Sequence, residues 1–123
     1  MGKKNLNFAF MESKRQEKIS RLIQRDLSEI FTLESRNLFN SSMITVTKVV
    51  ITPDLSIARV YLSLFATADK EALLTIIKTH TKLLRGQLGN RIHLQLRVIP
   101  ELHFYIDDSL DYIEKIDNLL SDL

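Results

Sequence analysis

Positively charged side chains recur at helical spacing in two parts of the chain. At about 100° per residue, the members of the first set lie within about 40° of one line on a helix. This first stripe consists of Lys14, Lys18, Arg21 and Arg25. The second stripe repeats the pattern and consists of Lys78, Lys82 and Arg85. Long cations on a rigid helix suit contacts to successive phosphates of a nucleic acid, so the two stripes predict binding of structured RNA.

An ordinary solvated helix face is the alternative explanation of each stripe. Glu17 and Glu29 flank the first stripe and offset part of its self-repulsion. A solvated face usually mixes both signs along one line, whereas these lines carry one sign on two separate helices. Arg59, on the wet face of a predicted strand, and Arg91 are expected to extend the basic surface. Arg97 is either a part of that surface or a cross-strand partner.

The distribution of charge separates a basic body from an acidic end. The net charge is only +2, but residues 1–36 hold eight Lys and Arg against five Asp and Glu. Residues 37–100 hold eight against three, and residues 101–123 hold one against seven. A basic body favours a polyanionic partner.

Residues that would support catalysis or metal binding form no recognisable pattern. The chain has no cysteine, which excludes disulfides, zinc–thiolate sites, iron–sulfur clusters and cysteine nucleophiles. His80, His93 and His103 are not paired at metal-ligand spacing, and the first two are instead candidates for RNA contacts. Asp107 and Asp108 are interpreted as a helix cap and solvated charge. Because nucleophile elbows and phosphate-binding loops are also absent, we expect no enzyme, no metal and no cofactor.

Apolar periodicity predicts the elements that position these residues. A helix is expected from about Glu12 to Ser35, where apolar residues recur at a helical period. Residues 43–52 and 57–65 predict two strands, which the turn at residues 53–56 joins into an antiparallel hairpin. Tyr61 is the only aromatic residue that we assign to the wet face of a strand.

A second helical region follows the hairpin. Asp69 is the expected N-cap, the helix is expected to divide near residues 79–82, and Gly89-Asn90 is the expected stop. Residues 86–89 spell G-x-x-G, the backbone-clamping loop of KH RNA-binding domains. Too little chain follows this match for another helix before the next strand, so we give it little weight.

The end and the start of the chain complete the prediction. Residues 94–106 predict a third strand, in which Pro100 implies a bulge, a break or an edge position. A short acidic amphipathic helix is expected over residues 109–123, and residues 1–10 are taken as a tail or an expression scar. Residues 11–123 are expected to form one α+β domain, with helices packed on one face of a three-stranded sheet. No apolar run approaches the roughly 20 residues that span a bilayer, so no membrane segment is expected.

Several local patterns, taken in order, resemble the ribosome-binding factor A family. The most specific is LRVIPELHF at residues 96–104, followed by Asp107-Asp108-Ser109. The other matching segments are RQEKI at 15–19, IQRDL at 23–27, the strand–turn–strand residues 47–61, and Leu84-Arg85 with Leu88-Gly89. The resemblance covers about residues 13–118 and implies a type II KH-like fold. The chain departs from the family pattern in three ways. Residues 80–82 replace the usual small-x-Gly kink, two extra residues occur near 95–96, and the chain ends in an acidic segment where the family has a basic extension.

The resemblance implies a function as well as a fold. Proteins of this family are non-catalytic cytoplasmic factors of bacteria that bind the free 30S small ribosomal subunit. They assist late maturation of its 16S rRNA, including the 5′ end, and are linked to growth in the cold. The expected partners of this chain are therefore the 30S subunit and 16S rRNA, with ribosomal proteins as a further class, and the chain is expected to be a monomer.

Two other classes of function remain as alternatives. One is a generic RNA-binding or protein-interaction module that docks through the acidic C-terminal helix, which is compatible with ribosome binding. The other is a small hydrolase, for which the sequence offers no catalytic constellation. If the two stripes contact phosphates, binding to free small subunits should weaken steeply with salt.

Overall fold

A computed structural model describes residues 12–65 and 67–107, which form three helices and three strands. Their order is the predicted one, and the fold class is the predicted α+β class with helices packed on a three-stranded sheet. The elements are α1 (Lys14–Leu38), β1 (Met43–Ile51), β2 (Ile57–Phe65), α2 (Lys70–Thr79), α3 (Thr81–Ile92) and β3 (Glu101–Ile106). The helix expected over residues 109–123, like the proposed tail at 1–10, lies outside the described residues.

The sheet has the order β1-β2-β3, so β2 is central and the other two strands flank it. β1 and β2 pair antiparallel from Met43 opposite Phe65, which confirms the predicted hairpin. β3 runs parallel to β2, with Glu101 aligned to Ile57. Alternate residues of β2, Ala58, Val60, Leu62 and Leu64, are buried in the core. The residues between them, Arg59, Tyr61 and Ser63, lie on the opposite face of the sheet.

The β1–β2 turn is closed by Asp54, as its sequence predicts. The carboxylate of Asp54 accepts hydrogen bonds from the hydroxyls of Thr52 and Ser56, both at 2.7 Å. These hydroxyls, together with the backbone N–H of Ser56, hold the pKa of Asp54 below its ordinary value because they stabilise the ionised form. Leu55 takes the left-handed conformation with φ of 63° that reverses the chain.

Helix α1 lies along β1 and is fixed to it by both apolar and polar contacts. Ser13 caps the helix, because its hydroxyl accepts from the N–H of Gln16 while the Gln16 side chain accepts from the N–H of Ser13. The amides of Gln16 and Gln24 also donate to the carbonyl oxygens of Ile51 and Val46. They thereby satisfy backbone acceptors of the outer strand β1. The predicted apolar stripe of this helix is buried in the core: Ile19, Ile23, Leu27 and Ile30.

The second helical region divides at His80, within the predicted junction. Helix α2 begins after Asp69, whose carboxylate accepts from the N–H of Ala72 as an N-cap. At the break, the imidazole Nδ1 of His80 lies 2.8 Å from the carbonyl oxygen of Ile76. Its ring also contacts Phe39 edge-on, at a centroid distance of 5.8 Å. The G-x-x-G match at residues 86–89 lies inside α3 and forms no loop.

The prediction that Gly89-Asn90 ends the helix is wrong, because α3 continues to Ile92. Leu88 and Ile92 lie one turn apart on the same face and are both fully buried, so core packing carries the helix past the glycine. Gly89 is instead a point of close approach. A Cβ atom at this position would lie 3.2 Å from Cγ1 of Ile99.

The third strand is shorter than the predicted span of 94–106, because it begins at Glu101. Its parallel partner β2 begins at Ile57, and the chain before that residue belongs to the hairpin turn. Residues 94–100 therefore lie before the point where β2 begins and have no residue of β2 to pair with. Pro100 also lacks the N–H group that a ladder hydrogen bond would need. The chain turns instead after α3, where the N–H groups of Gln95 and Leu96 donate to the carbonyl of Ile92.

Candidate nucleic-acid interface

The first stripe lies on the face of α1 that is turned away from the sheet. Its four residues are all exposed, and the side chain of Arg25 retains 67% of its accessible surface. The buried residues of the same helix fall on the opposite side, as the helical wheel predicts. The sequence-predicted stripe is therefore a continuous exposed surface formed by Lys14, Lys18, Arg21 and Arg25.

A groove of about 730 Å³ runs beside the first stripe. Ile19 and Leu22 contribute apolar surface to it, and Gln95, from the segment after α3, contributes from outside the helix. The cationic residues that line the groove are Arg15, Lys18, Arg21 and Arg25. Cations beside an apolar surface provide partners for phosphates and for the flat faces of bases or riboses.

The second stripe begins beside β3. Lys78 and Lys82 are exposed on α2 and α3. Lys78 and Thr81 line a smaller groove of about 240 Å³ with residues 102–105 of β3. The two lysines are thus accessible to an anionic ligand on this side of the sheet.

Arg85, the third residue of the second stripe, is engaged by the protein itself. Its Nη2 donates to the carbonyl oxygen of Ile99 at 2.6 Å, and its Nε donates to that of Pro100 at 3.0 Å. These bonds attach α3 to the segment 93–100, which leads into β3. Arg85 therefore has a structural role in addition to its place in the stripe.

Arg91 is likewise engaged, although the sequence suggested that it extends the basic surface. Its Nη1 donates to Oδ1 of Asp26 at 3.3 Å and also to the carboxylate of Glu29 on α1. The pKa of Arg91 is raised above its ordinary value, chiefly by the hydrogen bond to Glu29. Asp26 is buried and is also 3.5 Å from Nη2 of Arg25. Arg91 thus ties α3 to α1.

The remaining predicted cation, Arg59, is exposed on the open face of the sheet. Arg97 is exposed in the segment 93–100 and is not the cross-strand partner that one interpretation offered, since β3 begins later. This segment contributes Gln95 to the groove of the first stripe and carbonyls to Arg85 of the second. It therefore connects the two stripes.

Sequence reasoning missed three residues that the fold brings to these surfaces. Arg15 lies about 100° from Lys14 on the wheel and so falls outside the stripe, yet it lines the groove. The apolar residue Leu22, which lies two helical turns from Arg15 on the same side, was the sequence signal that this side contributes to the surface. Gln95 carried no signal, because its position depends on the turn after α3. Tyr105 is exposed on the open face of the sheet, in addition to the predicted Tyr61.

The histidines of the described residues are dispersed. His93 Nδ1 lies 3.1 Å from the carbonyl of Asn90, and His103 Nε2 lies 3.5 Å from the carboxylate of Glu101. Within residues 12–65 and 67–107, no group of three or more His, Asp or Glu is placed to hold a metal ion. No helix in the same ranges is both long enough and apolar enough to cross a membrane.

Comparisons with known proteins agree with the fold and with the motifs. The family model described as ribosome-binding factor A matches residues 15–120. Ribosome-binding factor A from Cytophaga hutchinsonii is 50% identical over 111 residues, which are 90% of this chain and 84% of that protein.

A crystal structure and a homology model fitted into a map have the same fold. The crystal structure of ribosome-binding factor A from Thermus thermophilus matches with a TM-score of 0.63 at 22% identity, over 74% of this chain and 94% of that one. Thermus thermophilus coordinates fitted into a cryo-electron-microscopy map of a complex with the 30S subunit match with a TM-score of 0.55 at 26% identity, over 71% and 89%. The chain therefore belongs to the ribosome-binding factor A family.

Proposed function

We propose that residues 11–123 form a single RNA-binding domain, which binds the free 30S subunit through phosphates of 16S rRNA. The observation that carries this proposal is the first stripe, three of whose exposed cations line a groove with apolar surface together with Arg15. When exposed cations contact phosphates, they displace the counterions that are condensed on the RNA. Release of these ions drives association. The similar Thermus thermophilus protein, which has been fitted into a 30S complex, supports the choice of partner.

The proposed role is assistance in late maturation of 16S rRNA, including processing of its 5′ end. The domain acts by binding and not by catalysis, in the cytoplasm, as a monomer and without a cofactor. Ribosomal proteins close to the rRNA site are secondary partners, and the activity is most needed during growth in the cold. Family membership and the motifs at residues 96–104 and 107–109 support this role.

The second stripe provides the first test. Reversing both exposed lysines, Lys78→Glu with Lys82→Glu, is expected to abolish cosedimentation with free 30S subunits on a sucrose gradient, because negative charge then faces the phosphates. The fold should persist, since both side chains are exposed at the surface. Circular dichroism and thermal unfolding of the variant check this point.

Charge-preserving substitution provides the matched control. Lys78→Arg with Lys82→Arg keeps both cations and should cosediment like the unaltered protein. Undiminished cosedimentation of the double glutamate variant would remove the second stripe from the interface. Comigration of the unaltered protein with complete ribosomes, but not with free 30S subunits, would contradict the proposed function itself.

A further inference from the structure

The face of the sheet that is turned away from the helices carries an aromatic pair. Tyr61 of β2 and Tyr105 of β3 are aligned across the parallel ladder. Their rings are stacked, with centroids 5.3 Å apart and an angle of 27° between the planes. Tyr105 keeps 39% of its accessible surface, whereas Phe104 beside it in the sequence is buried in the core. A large aromatic surface is thus presented at the outside of the sheet.

Two cations lie near the tyrosine pair on the same face of the sheet. Lys48 of β1 is paired with Tyr61 in the ladder, so one row across the sheet reads lysine, tyrosine, tyrosine. In the next row, Arg59 of β2 is paired with His103 of β3. Lys48 and Arg59 are both exposed.

The nearby carboxylates have other contacts. Glu101 lies 3.5 Å from Nε2 of His103, and Oδ2 of Asp107 accepts from the hydroxyl of Thr47 at 2.6 Å. Thr47 occupies the irregularity in the β1 ladder between Val46 and Lys48. Asp107 is therefore held at the bulge of β1, while Lys48 and Arg59 remain exposed.

A stabilising cross-strand contact is the simpler explanation of the tyrosine pair, since aromatic neighbours on adjacent strands favour a sheet. That explanation accounts for the stacking of the two rings. It does not account for the two exposed cations beside the rings, Lys48 on β1 and Arg59 on β2. Stacked rings beside cations on an open sheet are what single-stranded RNA requires, because its unpaired bases stack on aromatic side chains while cations contact the phosphates.

We propose that this open face binds single-stranded RNA, with one unpaired base stacked on Tyr105 and the adjoining phosphates on Lys48 and Arg59. The proposal deepens the proposed function, on which it rests for the nature of the ligand, by adding a second surface and a preference for unpaired nucleotides. The two stripes are helical and contact phosphates of structured RNA. The sheet face instead stacks on an unpaired base, and the bases of a duplex are not exposed for such stacking.

Fluorescence anisotropy with a labelled oligouridine of about 12 nucleotides tests the proposal, since that length fills a single-strand site. Tyr105→Leu keeps an apolar side chain but removes the ring, and it should weaken binding by about 10-fold or more. Tyr105→Phe keeps the ring and should bind within about twofold of the unaltered protein. A perfectly paired RNA duplex should compete poorly for the labelled strand.

Tyrosine fluorescence provides a direct signature of stacking. The chain has three tyrosines and no tryptophan, so two of its three intrinsic fluorophores lie in the pair. Oligouridine should quench this emission in the unaltered protein, and the Tyr105→Leu variant should lose most of the quenching. Thermal unfolding identifies any variant that has lost its fold, and Tyr61→Leu then serves as the second probe of the same pair.

The outcomes separate this proposal from the proposed function. Equal oligouridine affinity of Tyr105→Leu and the unaltered protein, with both folded, would overturn the sheet-face site, and so would equal competition by the duplex. The same variant is also sedimented with free 30S subunits. If the double variant at Lys78 and Lys82 loses 30S binding but binds oligouridine normally, both proposals stand. If the unaltered protein fails to bind 30S subunits, only the proposed function is contradicted.

Discussion

The cations of the first stripe on α1 and the two arginines of α3, Arg85 and Arg91, lie in different environments. Lys18 and Arg21 of the first stripe are exposed beside a groove. Arg85 of α3 donates to two backbone carbonyls, and Arg91 donates to two carboxylates of α1. A periodic line of cations therefore identifies a helix face, but the neighbouring elements decide whether each charge is available to a ligand.

The position of the helices explains the difference. Helix α3 lies between α1, which it contacts through Arg91, and the segment 93–100, which it contacts through Arg85. Both sides of α3 therefore face acceptors within the protein. On the outward side of α1, Lys18 and Arg21 line the groove to which Gln95 contributes, and Arg21 also lines a second groove beside β1. Lys18 and Arg21 of α1 are thus accessible at the surface, whereas Arg85 and Arg91 of α3 are held by other parts of the protein.

The largest expected effect is on RNA binding and comes from α1. Lys18→Glu with Arg21→Glu should weaken binding to free 30S subunits on the order of 100-fold, because two phosphate contacts become repulsive. The free energy of unfolding should change by less than about 0.5 kcal/mol, since both residues are exposed. Filter binding over a range of salt concentrations and urea unfolding measure the two quantities.

Salt dependence distinguishes the loss of phosphate contacts from a general loss of shape complementarity between the protein and the RNA. The log–log slope of affinity against salt should become shallower by about one unit for each removed cation. Lys18→Arg with Arg21→Lys preserves both charges and should leave this slope unchanged. An unchanged slope in the double glutamate variant would mean that α1 is not the side of the molecule that meets phosphates.

The next effect is on stability and comes from Arg85. Arg85→Met keeps an unbranched stem but removes both donors, and the free energy of unfolding should fall by about 1–2 kcal/mol. Lys82→Met, one turn earlier and exposed, is the matched control and should change it by less than about 0.5 kcal/mol. Urea unfolding compares the two variants, and equal stability would show that the contacts with Ile99 and Pro100 do not hold the segment 93–100.

The elements that the sequence predicted well depend on neighbours in sequence. The hairpin turn at Asp54 is closed by hydroxyls two residues away, and the Ser13 and Asp69 caps act over three. The third strand and the end of α3 were predicted wrongly because distant residues set them. β3 can begin only where β2 offers a partner at Ile57, and Gly89 stays helical because Ile92 is needed in the core.

The same distinction applies to the site. The first stripe follows from the helical period of α1 alone, so the sequence was sufficient to locate it. The acceptors of Arg85 lie 14 and 15 residues away, and those of Arg91 lie 62 and 65 residues away. No periodicity within α3 could reveal these partners. The pairing of Tyr61 with Tyr105 likewise depends on the register of a parallel ladder between distant strands.

The smallest expected effect concerns the link between α3 and α1. Arg91→Gln should lower the free energy of unfolding by less than about 1 kcal/mol, because ion pairs of partly exposed groups are screened by water. The side chain of Arg91 retains 30% of its accessible surface, and that of Glu29 retains 56%. The loss should shrink further in concentrated salt, which screens the exposed part of the pair.

A double-mutant cycle with Glu29→Gln isolates this interaction from the contact of Arg91 with buried Asp26. Coupling of about 0.3–1 kcal/mol between the two substitutions is expected. The same cycle between Glu29→Gln and Arg21→Gln, whose exposed cation belongs to the first stripe, should give none. Coupling of equal size in both cycles would mean that α1 and α3 use their charges in the same way, and the contrast between exposed and engaged cations would then fail.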